Sequence, residues 1–310
     1  MNNLVKLNNI KYVCHHLHID KSKTINPYLL NESLSFMKEK WILMRKIKEN
    51  YTEDDLKKRM LSTTTKLVEQ GCVKMRTFID IDNIVKFKPL HVALEIKDYW
   101  KKHNVDLQIG TQLLEGLETQ SNIDLFNEAA PLVDFIGCLP SRDKCQENHL
   151  DIVFQKALEL NKDIEAHLDQ CNIPTEKETE LFCDYVEKYN YQGKSRAIHC
   201  ISLACHPLDY QKKIAKRLFE LNIGVIICPS ASISMKQHTQ YNVPIHNSIG
   251  PVKVLIEENV NVGLGIDNIE DIFVPFCDGD FNFELRLLAE SERIYKPETL
   301  INIATNKMGF

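Results

Sequence analysis

No stretch of this 310-residue chain is long and apolar enough to cross a bilayer, because Lys, Glu or Asn interrupts every hydrophobic run. The opening residues, Met1-Asn2-Asn3-Leu4-Val5-Lys6, lack the continuous apolar centre of a secretory signal. Basic excess is missing too. Lys and Arg number 38 against 43 Asp and Glu, for a net charge of -5, whereas a nucleic-acid-binding domain needs a basic surface. The ten cysteines contain no Cys-x-x-Cys spacing. Several lie in apolar runs such as Ile226-Ile227-Cys228, where a free thiol behaves as a small hydrophobe. Reduced core thiols in a cytoplasmic protein are expected, rather than a disulfide or zinc–cysteine framework. Repeats, low-complexity tracts and Pro/Gly linkers are absent, so 1–310 reads as one domain.

What the chain does contain is alternation. Short β-prone runs at 10–14, 73–79, 106–110, 134–138, 163–166, 196–198, 224–228 and 261–265 are expected as strands. Helical periodicity fills 54–70, 90–102, 123–132, 150–160, 176–189, 210–221 and 251–258, and two closing helices are expected at 281–289 and 297–307. Asp280 suits an N-cap and Pro297 a first helical turn, while Gly71, Gly193 and Gly224 fall where helices stop and strands begin. Eight strands alternating with helices predict an α/β fold, a single TIM-like (β/α)8 barrel. The longest irregular region, 19–50, carries Tyr28, Phe36, Met37, Trp41 and Met44. It fits either a lid helix over the barrel mouth or an amphipathic helix on the barrel wall.

Five residues of metal-ligand type each follow one of the β-prone runs: His16, His18, His167, His199 and Asp267. Barrel enzymes build their active sites at that end of their strands. His16 and His18, two apart, project from one strand face. Three imidazoles and a carboxylate leave a coordination position open for water, the pattern of a catalytic site. A bound divalent ion lowers the pKa of such a water to ~7. Asp267 can hold the metal and accept the water's proton, and His199 can orient the water or polarise the substrate. Cys138-Leu139-Pro140-Ser141, after the fourth strand, offers no lysine to bridge a second ion, so one metal is expected. His15 points the other way and reads as structural. His91, His103, His149, His206, His238 and His246 fall in helices or loops and are expected to be exposed, with His246 the weaker candidate for the rim.

Four motifs carry a resemblance: His16-Leu17-His18-Ile19-Asp20-Lys21, Arg76-Thr77-Phe78-Ile79-Asp80, His167-Leu168-Asp169-Gln170 and Gly263-Leu264-Gly265-Ile266-Asp267-Asn268. With them the chain resembles the cytosine deaminase branch of the amidohydrolase superfamily, which includes the N-isopropylammelide hydrolases, through to Ala304-Thr305-Asn306-Lys307-Met308-Gly309. The resemblance implies a distorted (β/α)8 barrel, one zinc or iron ion, and hydrolytic removal of an amine from a nitrogen heterocycle. It implies His16, His18, His167 and Asp267 as metal ligands, His199 beside the reacting water, and Lys21 and Asn268 near the substrate.

The chain departs from that pattern in four places. Gln170 stands where the branch has a proton-shuttling Glu, and an amide cannot act as a general acid or base near neutral pH, a contribution worth ~10²–10⁴-fold. Asp169 points elsewhere if Gln170 faces the site. The branch's ring-reading glutamine on strand three falls on Leu113-Leu114, which argues against cytosine itself, and nearby Glu115 reads as structural. Phe78 replaces a histidine and implies a drier pocket wall. The flanking β-sandwich has almost no sequence here. The expected function is a mononuclear metal-dependent hydrolase that acts on a C–N bond of a small nitrogen heterocycle or cyclic amide-like molecule. In it Asp267 and His199 would serve the chemistry, and Gln170, Asn268 and Lys21 the substrate. The expected partner is this small molecule, with no nucleic acid and no membrane, and with self-assembly allowed. The rival expectation is a non-catalytic barrel that keeps its metal and binds a ligand or a partner subunit.

Overall fold

In the computed structural model, which describes residues 10–244 and 249–310, every expected strand forms. They are β1 (Tyr12–Leu17), β2 (Cys72–Asp80), β3 (Asp106–Gln112), β4 (Ile136–Cys138), β5 (Ile164–Leu168), β6 (Ser195–His199), β7 (Gly224–Ile227) and β8 (Val262–Leu264). His246 lies outside the described residues. Between β1 and β2 come α1 (Pro27–Glu32), α2 (Met37–Lys48) and α3 (Glu53–Glu69). After β2 the helices are α4 (Lys88–Lys102), α5 (Gln120–Ala129), α6 (Gln146–Leu160), α7 (Glu178–Lys188) and α8 (Leu208–Glu220), one in each successive gap between strands. Two short helices, α9 (Pro229–Ile233) and α10 (Val252–Glu257), follow β7, and α11 (Phe281–Glu292) and α12 (Pro297–Thr305) follow β8. The helix over 229–233 has no counterpart in the expected pattern, because five residues are too few to show periodicity.

Local chemistry accounts for the ends. Thr52 Oγ1 accepts from Asp55 N at 3.2 Å and caps α3, whose first turn holds Glu53, Asp54 and Asp55. Asp280 caps α11 through Phe283 N at 3.0 Å, as its position suggested. Gly71 (φ 101°) and Gly193 (φ 76°) take the left-handed turns before β2 and β6. Elsewhere that role passes to asparagine: Asn104, Asn161, Asn190, Asn222 and Asn259 all have positive φ just past helices. Asparagine tolerates this conformation better than other side-chain-bearing residues.

All strand pairs are parallel and in chain order, β1-β2-β3 in one sheet and β4-β5-β6-β7-β8 in another. The continuous ring expected from the sequence is therefore interrupted at two seams, each spanned by one isolated parallel bridge, Gly110–Phe135 and Leu17–Asp267. At the first seam the Asp134 carboxylate, not a strand carbonyl, accepts from Ile109 N at 2.7 Å. At the second the backbone turns at Asp267 (φ 73°), and Ile266 N and Asp267 N both bond to His16 O. The chain leaves the regular ladder there as it turns toward the strand ends.

Aliphatic side chains from strands and helices fill the interior, with Leu17, Met75, Ile109, Ile198 and Ile226 fully buried. Arg76 and Arg196 both pair with Glu165, at 2.8 and 2.7 Å. His15 is buried against Asn306 O, in keeping with a structural role, and burial pushes it down to about 3. Two histidines expected at the surface are inside instead. His149 binds Asp143 at 2.7 Å and Leu139 N at 3.0 Å, and His206 sits under the Tyr210 ring. Their polar atoms are satisfied by the loops they underpin, a partnership that their position in the chain does not reveal.

Candidate metal centre

His16 and His18 stand at the end of β1, His167 in β5, His199 closing β6 and Asp267 just past β8. All five are buried, none more than 6% exposed. Asp267 Oδ1 lies 3.2 Å from His16 Nε2 and 3.2 Å from His18 Nε2, and its Oδ2 lies 3.7 Å from His199 Nε2. His167 Nε2 is 3.3 Å from His18 Nε2. The rings of His16 and His167 are 4.8 Å apart, and those of His167 and His199 5.5 Å apart. His199 (φ 75°) and Asp267 (φ 73°) both hold positive φ, a costly backbone state that concentrates at functional sites.

Electrostatics suit a cation here. Burial pushes all four histidines down, His199 to about 4, so they present neutral imidazoles. Burial works against ionisation of Asp267, but the hydrogen bonds from His16 and His18, with the nearby His16 and His199 rings, hold it well below the usual carboxylate range. The Nδ1 atoms of His16, His18, His167 and His199 are buried without a partner. Ligand atoms of His16, His167 and His199 all lie within 4.8 Å of one another. Neutral imidazoles converging on an ionised carboxylate are the donor set of a divalent zinc or iron site, so the residues fit such an ion.

A cavity opens above the cluster. Its lining includes His18, His167, His199 and Asp267, and also Lys21, Gln170 and Asn268. Lys21 reaches it with its charge already engaged, by Asp80 at 2.6 Å and Asp20 at 3.2 Å. Asn268 donates to Asp271, which fixes its amide. Asp169 turns away, its carboxylate accepting from Glu178 N and Thr179 Oγ1. Gln170 thus stands in the cavity wall with its Nε2 buried and unpartnered. Phe78 packs on the cluster, 4.9 Å from the His16 ring and 4.7 Å from the His167 ring, but it is not among the residues lining the cavity, so the drier wall expected of it is not seen there. Met37 and Trp41 of α2 are among the lining residues.

Two residues were missed from the sequence. Leu114 lines the cavity as the motif implies, but so does Gln112, two residues earlier at the end of β3. Strand alternation puts Gly110, Gln112 and Leu114 on one face, and that signal could have found it. Cys228, directly after β7, has its sulfur within 4.8 Å of ligand atoms of His16 and Asp267. Read as a core thiol, it gave no sign of this proximity.

No family model matches the chain. A Haemophilus influenzae protein described as uncharacterized is 30% identical over 248 residues, covering 78% of this chain and 89% of that protein. N-isopropylammelide isopropyl amidohydrolase of Pseudomonas sp. is 24% identical over 278 residues, covering 87% of this chain and 65% of the enzyme. Among solved structures, 5-methylcytosine deaminase from Klebsiella pneumoniae matches with a TM-score of 0.85 at 21% identity, over 95% of this chain and 72% of the deaminase. The chain is thus similar to enzymes of the amidohydrolase superfamily and shares their fold. The amidohydrolase and the deaminase are by name enzymes acting on C–N bonds. A further solved structure, a mutant of atrazine chlorohydrolase from Arthrobacter aurescens (TM-score 0.62, 12% identity, 94% of this chain and 66% of that one), is complexed with zinc. Among the described residues, no helix is long and apolar enough to cross a membrane.

Proposed function

We propose that this chain is a mononuclear metal-dependent hydrolase acting on a C–N bond of a small nitrogen heterocycle or cyclic amide-like molecule, built on a (β/α)8 barrel with two interrupted seams. One observation carries the reading: His16, His18, His167, His199 and Asp267, from four distant parts of the chain, meet in one buried cluster at the strand ends. His16, His18, His167 and Asp267 would hold the ion, with His199 beside it. A divalent cation there supplies water acidified enough to attack an sp2 carbon at neutral pH. Asp267, held ionised, is the proton acceptor. His199, kept neutral by burial, orients the attacking oxygen. Asn268, fixed by Asp271, and Gln170 bind the heterocycle. Lys21 serves indirectly, its ammonium holding Asp20 and Asp80 beneath the wall.

Gln170 limits the chemistry. With no acid at that position, a substrate whose leaving group needs little proton delivery is favoured over an unactivated aminopyrimidine. The test is to load the protein with zinc or iron(II), screen amino-substituted pyrimidines and triazines for amine release, and repeat with Gln170→Glu. A gain of ~10²–10⁴-fold in the variant is expected if the shuttle position is intact. No gain in a metal-loaded variant contradicts this account of the site. A second reading, a barrel that keeps its metal and binds a ligand or partner subunit without turnover, rests on the same glutamine. Stoichiometric metal, no turnover of any C–N substrate by parent or variant, and a co-purifying chain would favour it.

A further inference from the structure

The strands on either side of β7 each deliver a metal-type residue at their ends. His199 closes β6, and Asp267 lies just past β8. Strand β7 runs between them, pairing Ile226 with Ile198 and Ile227 with Leu264. The residue that follows it is Cys228, fully buried. Pro229 opens α9 immediately afterwards and cannot donate to the ladder, so the strand stops with this thiol at its end. The sulfur, a ligand atom of His16 and one of Asp267 all lie within 4.8 Å of one another. Two donors on one tetrahedral ion, with bonds of ~2.3 Å to sulfur and ~2.1 Å to nitrogen or oxygen, stand ~3.6 Å apart. Closing this triad on an ion therefore takes shifts on the order of 1 Å.

Gly265 permits the close approach. A β-carbon added there would meet Cβ of His16 at 2.6 Å and Sγ of Cys228 at 2.8 Å, so a side chain at 265 would force sulfur and imidazole apart. His16 is fully buried and its Nδ1 has no partner. The Cys228 sulfur has no hydrogen-bond partner among the described residues. Other buried thiols are engaged: Cys14 donates to His16 O at 3.6 Å, and Cys277 to Glu284 Oε1 at 3.7 Å.

We propose that Cys228 is a further ligand of the metal ion, beside His16 and Asp267, and that its sulfur biases the centre toward zinc over iron(II). Neither Cys228 nor His16 lines the cavity, whereas His18, His167, His199 and Asp267 do. The thiol thus approaches from the side away from the cavity and leaves the cavity face of the ion free. Its proton passes to solvent as the sulfur–metal bond forms, with no change of oxidation state. Thiolate is a soft donor that selects zinc or copper(I), while carboxylate and water suit manganese and magnesium. A thiol that merely fills core space as a small hydrophobe would have no such effect. The inference rests on the metal-centre reading of the same cluster, but it concerns which ion is held and not what is hydrolysed.

The test is zinc-edge X-ray absorption on the reduced protein loaded with one equivalent of zinc. One sulfur neighbour is expected within ~0.2 Å of 2.3 Å, among nitrogen and oxygen neighbours at ~2.0–2.2 Å. Cys228→Ser and Cys228→Ala should still take up zinc and lack that sulfur. Zinc affinity in Cys228→Ser should fall at least ~10-fold, the low end of what losing even an outer-shell partner costs, and iron(II) affinity should fall less. A Cys145→Ser, Cys171→Ser double variant removes the two thiols that are not buried and should keep the sulfur signal. If neither Cys228 variant folds, the double variant decides: a shell without sulfur there overturns the inference. Zinc bound by nitrogen and oxygen alone in the parent, or a sulfur signal that survives Cys228→Ser, also overturns it and leaves the hydrolase reading intact. No zinc uptake at all overturns both. Sulfur-bound zinc in a protein that turns over no C–N substrate removes the hydrolase reading and leaves this one standing.

Discussion

At Asp267 burial and hydrogen bonding pull in opposite directions, and the imidazoles prevail. This residue also carries the seam between β1 and β8 through its backbone, so its place is fixed by the fold as well as by its partners. Asp267→Asn keeps the shape and removes the charge. It should lower metal occupancy several-fold and abolish measurable turnover while leaving the secondary structure intact, as read by elemental analysis and circular dichroism. Full occupancy in that variant would count against a ligand role. The five metal-type residues were legible in the sequence because each follows a β-prone run, and strand ends are where a barrel gathers side chains. Gln112 was overlooked, although alternation along β3 sets it on one face with Leu114. Lys21 lines the cavity, but its engagement was not legible in the sequence, since Asp20 is adjacent in the chain but Asp80 comes from β2.

Helix α2 is held across the mouth by its basic residues. Lys48 pairs with Asp80 at 2.9 Å and with Asp82, Lys40 donates to Phe273 O at 3.0 Å, and Arg45 pairs with Glu115 at 3.0 Å. Burial alone would push Asp80 up, but Lys21 and Lys48 hold it down at about 2. We propose that α2 is a lid, with Lys48 its fixed end. Lys48→Met leaves Asp82 without its cation and Asp80 with Lys21 alone, and should cost ~3–5 kcal/mol in urea unfolding, as expected when one partner of a buried pair is removed. A loss below ~1 kcal/mol would show that the pair is not buried in solution. The sequence disclosed the apolar side of 37–48 but not what it covers, because periodicity gives a face and not a neighbour. Helix ends were misjudged for a related reason: glycine was expected to mark them, and asparagine does so five times. Asn161 (φ 52°) follows α6, so Asn161→Val should destabilise by ~1–2 kcal/mol while Asn161→Gly stays near neutral.

Over the whole molecule, strand order and strand number were readable from alternation alone, whereas the two seams were not. They depend on the Asp134 side chain and on the turn at Asp267, each a local event inside an otherwise regular pattern. Burial also gives stability a pH dependence. Glu284 on α11 accepts from Ser230 N at 2.9 Å, and burial raises its carboxyl from 4.5 to about 7. Between those values the unfolded chain has released this proton and the folded chain has not, so the group's contribution falls as pH rises through the window and is level above about 7. Relative to the parent, Glu284→Gln should therefore gain on the order of 3 kcal/mol in unfolding free energy between pH 4.5 and 7. A pH-independent difference between the two would contradict the buried, protonated carboxyl.

The measurement that bears most directly on the centre is metal content by plasma mass spectrometry, on protein prepared without chelator and on His16→Ala and His167→Ala. The account predicts close to one zinc or iron per chain in the parent and a small fraction of that in either variant. A parent that takes up no divalent metal even when offered excess, or variants that hold as much as the parent, would contradict it.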